Sequence, residues 1–128
     1  MVPIPGSVRV LIVDDSSAIR FMLRILLEDA GMTVEEAVSG DAALARLDED
    51  GAERVDAVVL DQRMPAITGL EVAARIAERT PQPRMFLYSS YLSPEQEAEA
   101  ERLGVTALVK SDLDQLVEAL RSSNGIHA

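Results

Sequence analysis

The sequence predicts an α/β domain built on a parallel sheet, and three observations carry that prediction. Short runs rich in Val, Leu and Ile alternate five times with amphipathic stretches. The first and third runs are almost wholly apolar, the pattern of strands covered on both faces. The stretches between runs are long enough for the right-handed helical crossovers that join parallel strands.

The first run, Arg9-Val10-Leu11-Ile12-Val13, reads as a buried strand. Ile19, Met22, Leu23, Leu26, Leu27 and Ala30 then recur at helical spacing; Ser16 or Ser17 caps the start and Gly31 stops the helix. A weaker strand spans Thr33 to Val38, followed by a short helix from Asp41 to Leu47. The third strand, Val55 to Leu60, is again mostly apolar. A loop containing Pro65 leads to a helix with Leu70, Ala73, Ala74 and Ala77 on one face. The fourth strand is Arg84 to Tyr88. Ser93-Pro94-Glu95-Gln96 then combines an N-cap, a proline at the first helical position and a capping-box glutamine. That helix is polar, with Ala98, Ala100 and Leu103 among acids. Val105 to Val109 reads as the fifth strand; Leu113, Leu116, Val117 and Leu120 mark a last helix capped by Ser111 or Asp112. No linker divides the chain, so one domain is expected over residues 7–121, with frayed ends at 1–6 and 122–128.

Composition narrows the function. The 128 residues are 48% hydrophobic but 3% aromatic, so the core must be aliphatic. With no cysteine, disulfides, thiolate metal sites and cysteine nucleophiles are excluded. No apolar run approaches the ~20 residues that span a bilayer, and the opening MVPIPGS lacks the pattern of a signal peptide. A cytoplasmic protein without a membrane partner is expected. A net charge of −10 repels a phosphate backbone, so no nucleic-acid partner is expected either.

Ligands of open parallel sheets bind beyond the carboxyl ends of the strands. Asp14 and Asp15 follow the first strand, Asp61 the third, Ser89 and Ser90 the fourth, and Lys110 the fifth. Singly, each has an ordinary explanation: helix capping for Asp14 and Asp15, a turn residue for Asp61, a solvated lysine, a satisfied loop hydroxyl. Those explanations do not account for all of them falling at strand carboxyl ends. If the first and third strands are neighbours, three carboxylates converge, and a hard divalent cation such as Mg²⁺ removes their mutual repulsion. Asp61 is then a carboxylate nucleophile able to form an acyl phosphate. Lys110 serves as a point charge for one phosphate oxygen and a serine hydroxyl donates to another.

These residues resemble the receiver domain of bacterial two-component response regulators, chemotaxis regulators among them, over nearly the whole chain. Leu11-Ile12-Val13-Asp14-Asp15 resembles the family's first strand and acidic pair. Leu60-Asp61-Gln62-Arg63-Met64-Pro65, with Gly69 after it, resembles the phosphoacceptor loop and is the most specific motif present. Ser89 matches the family's Thr/Ser, and Lys110 its lysine. The resemblance implies a flavodoxin-like (βα)5 three-layer domain with sheet order 2-1-3-4-5. It also implies that Asp61 is phosphorylated by a sensor histidine kinase or a histidine phosphotransfer protein. Mg²⁺ would be held by Asp15, Asp61 and the backbone carbonyl of Arg63, with Asp14 acting through water. Phosphorylation would draw Ser89 inward and shift the face made by the fourth helix, fifth strand and fifth helix.

The chain departs from the family pattern at several points. Lys110 is followed by Ser111 instead of proline, and Gly104 to Lys110 is one residue short, which sets Ser89 against Tyr88 for the Thr/Ser position. Ala107 replaces the usual aromatic, and Arg63 and Tyr91 occupy positions that tune dephosphorylation. With no effector domain after Arg121, output is expected through a downstream partner protein, unless the chain is a fragment of a longer regulator. Two other readings are a receiver-like binding module independent of phosphorylation and an aspartyl-nucleophile phosphatase. The phosphatase usually has a second Asp two residues after its nucleophile, where this chain has Arg63, and there is no Gly-rich nucleotide loop.

Overall fold

The computed structural model describes residues 7–109 and 113–122. The elements are β1 (Arg9–Val13), α1 (Ser17–Asp29), β2 (Thr33–Ala37), α2 (Gly40–Leu47), β3 (Ala57–Asp61), α3 (Gly69–Ile76), β4 (Arg84–Ser89), α4 (Pro94–Leu103), β5 (Val105–Val109) and α5 (Leu113–Ser122). The strands form one parallel sheet in the order β2-β1-β3-β4-β5, as the resemblance implied.

Alternation along the strands divides the core into two layers. Val10, Ile12, Ala57, Val59 and Phe86 pack against Leu23 and Leu27 of α1 and Leu116 and Leu120 of α5. Leu11, Val13, Val58, Leu60, Met85 and Leu87 face the other way, onto Leu44, Val72, Ala73, Ile76 and Ala100 of α2, α3 and α4. Each large aliphatic side chain buried in this way contributes roughly 1.5–3 kcal/mol. The two-sided cover explains why β1 is apolar after Arg9 and β3 is apolar up to Asp61.

The helix ends follow local chemistry. Ser16 Oγ accepts the Ile19 N–H at 3.3 Å and so caps α1, while Gly31, at φ +91°, ends it with its N–H on the Glu28 carbonyl. Ser93 and Gln96 form the expected capping box at α4, with Pro94 in the first turn.

Several boundaries differ from the sequence expectation. β3 begins at Ala57, because the ladder to β1 starts at Val10↔Ala57, whereas the Asp56 carboxylate accepts the Arg9 N–H at 2.8 Å. Val55 is nevertheless buried. On α3 the buried stripe is Leu70, Val72, Ala73 and Ile76, and Ala74 and Ala77 sit at its margin. α5 continues to Ser122, one residue past the expected end of the domain. The expected cap at Ser111 or Asp112 lies outside the described residues, as do the expected frayed ends at 1–6 and 122–128 apart from Ser122, which is helical. Among the described residues no helix is long and apolar enough to cross a membrane.

Candidate functional site

β1 and β3 are hydrogen-bonded neighbours, so the residues at their carboxyl ends meet. Asp14 and Asp15 leave β1 and Asp61 is the last residue of β3, and carboxylate oxygens of all three lie within 4.8 Å of one another. Asp14 and Asp61 are 1% and 3% exposed, while Asp15 is open to solvent. At such a distance two like charges repel by about 3 kcal/mol at an effective dielectric of about 20. The donor set is all oxygen, anionic and open on one side, which fits Mg²⁺ and its need to keep water and phosphate oxygens as ligands.

The Asp14 carboxylate is held from two directions. Its Oδ1 accepts the Ser16 N–H at 2.8 Å, and its Oδ2 accepts the Tyr88 hydroxyl at 2.9 Å. The Asp14 carbonyl accepts Arg20 Nη1 at 2.7 Å, while Arg20 Nε pairs with Glu36 at 2.9 Å. The glutamates of β2 are already matched to arginines: Arg46 holds the Glu35 carboxyl below its usual range, and Arg24 does the same for Glu36. Burial pushes the Tyr88 phenol far above its ordinary range, helped by the charge of Asp14 and its hydrogen bond. In this geometry the Tyr88 hydroxyl is the donor and the Asp14 carboxylate the acceptor.

The loop after Asp61 is folded back tightly. The Gly69 N–H bonds the Gln62 carbonyl at 3.2 Å, and buried Gln62 Oε1 accepts the Leu70 N–H at 2.9 Å. Thr68 and Glu71 close a capping box at the start of α3. Between them and Pro65, Ala66 adopts φ +71°, the left-handed region disfavoured for a residue with a Cβ. Ala66→Gly is expected to stabilise the domain by about 0.5–1 kcal/mol in urea unfolding. A loss of stability would show that Ala66 is not strained.

The structure brings Asp14, Asp15 and Asp61 together, as the sequence predicts. It does not bring the Ser89 hydroxyl to them. Ser89 is buried on β4, but its Oγ donates to the Tyr91 carbonyl at 3.0 Å and accepts the Tyr91 N–H at 3.4 Å. Alternation explains this: Tyr88 shares the layer of Phe86, whereas Ser89 follows the phase of Met85 and Leu87. Tyr88 is in register with Asp61, so both side chains leave the sheet on the same side. Lys110 lies outside the described residues. Ala107 is exposed on β5. The side chains of Arg63 and Tyr91 are exposed and line one open depression of about 620 Å³ together with Thr68 and Gln96.

Arg20 is a supporting residue that sequence reasoning does not find, and Tyr88 enters that reasoning only as the alternative to Ser89 for the Thr/Ser position. From Met85 to Leu87 both phases of β4 are apolar and buried, so this stretch does not say which face is which. Arg20 lies among several arginines with no distinguishing spacing. The capping box at Thr68 did carry a signal, Thr-x-x-Glu ahead of an apolar stretch.

Known proteins resemble this chain over much of its length. The family model of the response regulator receiver domain matches residues 10–121. Protein-glutamate methylesterase/protein-glutamine glutaminase 1 of Anaeromyxobacter dehalogenans is 31% identical over 90% of the chain and 36% of its own length. The transcriptional regulatory protein ResD of Bacillus subtilis is 38% identical over 62% of the chain and 32% of its own length. The chain thus spans about a third of the length of these curated relatives. Among solved structures, chemotaxis protein CheY4 of Vibrio cholerae superposes with a TM-score of 0.77 at 34% identity, covering 90% of this chain and 97% of that one. TrrA of Thermotoga maritima, solved in complex with Mg²⁺-BeF, gives a TM-score of 0.72 at 29% identity over 88% of this chain and 98% of that one.

Proposed function

Because the chain belongs to the response regulator receiver domain family of two-component signalling, we propose that Asp61 is its phosphoacceptor and that a phosphohistidine is the donor. The observation that carries this reading is the convergence of three carboxylates within 4.8 Å at the carboxyl ends of adjacent strands. Asp61 ends its strand there, buried but beside an open face.

In the proposed reaction a carboxylate oxygen of Asp61 attacks the phosphorus. The P–N bond to the donor imidazole breaks, the imidazole leaves with that electron pair, and an acyl phosphate forms. Asp14, Asp15, Asp61 and the backbone carbonyl of Arg63 are the groups that would hold Mg²⁺, which when bound offsets charge on the transferring phosphoryl oxygens. Lys110 is the proposed cationic partner of another phosphoryl oxygen. The donor is a sensor histidine kinase or histidine phosphotransfer protein, and the setting is the cytoplasm, where ATP-derived phosphoryl groups are available. The proposed output is a shift of the α4–β5–α5 face that a downstream protein reads. The domain turns over no substrate beyond its own phosphoryl group.

Intact-mass measurement after incubation with acetyl phosphate and Mg²⁺ tests this. One base-labile, acid-stable phosphoryl adduct is expected, absent in Asp61→Asn and strongly reduced when the metal is chelated. No adduct from acetyl phosphate or any phosphohistidine donor would favour a phosphorylation-independent binding module. Steady turnover of unrelated phosphate esters would favour the phosphatase.

A further inference from the structure

We propose that Tyr88 supplies the hydroxyl that β4 contributes to this site, and that it acts as a positioning residue for the divalent cation by orienting Asp14. The inference deepens the function proposed above and rests on it. Three observations support it.

The first is register. Tyr88 pairs with Asp61 on the adjacent strand, so its ring leaves the sheet beside that carboxylate. The second is reach. β4 and β1 are separated by β3, two strand spacings or about 10 Å. A serine or threonine at this position would stop near Asp61; the phenol extends past β3 and donates to Asp14 Oδ2 at 2.9 Å. The third is the way Asp14 is held. Ser16 N–H takes Oδ1 and Tyr88 takes Oδ2, so rotation of the carboxylate is opposed from both ends. An ionised carboxylate has about four acceptor directions. Two hydrogen bonds leave the others for the cation or for a water bound to it. Donors that orient a ligating carboxylate typically change metal affinity by about 10- to 100-fold when removed.

Ser89 is the competing candidate, because it is the adjacent hydroxyl and its residue type suits phosphate. Its Oγ is engaged by the backbone of Tyr91 on the opposite phase of the strand. The two residues therefore divide the roles: Tyr88 orients an acid, and Ser89 closes the turn that leads to α4.

Isothermal titration with MgCl₂ alone separates these roles without any phosphodonor. Tyr88→Phe keeps the buried ring and removes only the hydroxyl, so the metal-free fold should persist. Its Mg²⁺ affinity is expected to fall on the order of tenfold, and by more than the change in Ser89→Ala. Equal affinity in wild type and Tyr88→Phe, or a larger loss in Ser89→Ala, overturns the proposal. A second readout does not depend on the Phe variant folding. Tyr88 and Tyr91 are the chain's two tyrosines, so Tyr91→Phe leaves Tyr88 as the sole tyrosine emitter. Its fluorescence is expected to change along the Mg²⁺ binding curve; an unchanged signal across saturation overturns the proposal. Failure of the wild type to bind Mg²⁺ at all would overturn the metal assignment of the site together with this inference. Normal Mg²⁺ binding that ignores Tyr88 would overturn this inference alone.

Discussion

Replacing Gly69 with alanine is expected to destabilise the domain by about 1–3 kcal/mol and to weaken Mg²⁺ binding in the same protein. An added Cβ would stand 2.5 Å from the Asp61 carbonyl oxygen and 3.0 Å from its carbon, with Leu87 Cδ1 at 2.7 Å. The first two are backbone atoms of the residue that ends β3, and a side-chain rotation cannot relieve the overlap. Either α3 moves out, breaking the Gly69 N–H bond to the Gln62 carbonyl, or Asp61 moves, taking its carboxylate away from Asp14 and Asp15. Urea unfolding reads the first consequence as a lower midpoint at constant slope, and calorimetric titration reads the second. If Gly69→Ala were as stable as wild type with unchanged Mg²⁺ affinity, the close approach of α3 would not be what sets Asp61.

Asp61→Asn should reverse the order of stabilities according to the metal. Without Mg²⁺ the variant removes one of three carboxylates held within 4.8 Å, and a gain of about 1–2 kcal/mol is expected from the lost repulsion. With Mg²⁺ the wild type gains by mass action, about 2.7 kcal/mol at a concentration 100 times its dissociation constant. The variant, short of one ligand, gains much less. Unfolding curves for both proteins with chelator and with saturating MgCl₂ test this. A variant less stable than wild type in chelator would show that Asp61 is held by favourable contacts that outweigh its neighbours' charge.

Together with the expected gain from Ala66→Gly, these outcomes describe a loop under two opposed demands. Gly69 and Gln62 draw the chain after Asp61 tightly against α3, and Ala66 absorbs the bend at φ +71°. The site acids remain close despite their repulsion because they sit at the ends of strands whose cores are packed on both faces. The stability of β1 and β3 thus maintains an arrangement of charge that would not form by itself.

What could be read from the sequence was local in origin. The runs at 9–13 and 105–109 are strands with the expected bounds, and Ser93-Pro94-Glu95-Gln96 caps a helix as its chemistry requires. Periodicity, caps and turn residues act over a few residues, so they survive in a linear reading. The acidic triad was legible for a related reason: Asp14, Asp15 and Asp61 interrupt or end otherwise apolar runs. Their meeting required the strand order, which the family resemblance supplied. The boundary of β3 was less legible, because the ladder starts where β1 offers a partner and not where the apolar run begins.

The choice between Tyr88 and Ser89 belonged to the tertiary structure alone. Side chains alternate with a period of two along a strand, so a shift of one residue exchanges the two faces. In β4 both faces are apolar from Met85 to Leu87, since both are covered by helices, and that stretch of the linear pattern carries no phase. Only pairing with β3, Asp61 opposite Tyr88, decides which hydroxyl faces the acids. Local patterning along the chain set the elements and marked the residues capable of the chemistry. The register between strands decided which of those residues share a face, because a two-residue period leaves that phase to the neighbouring strand.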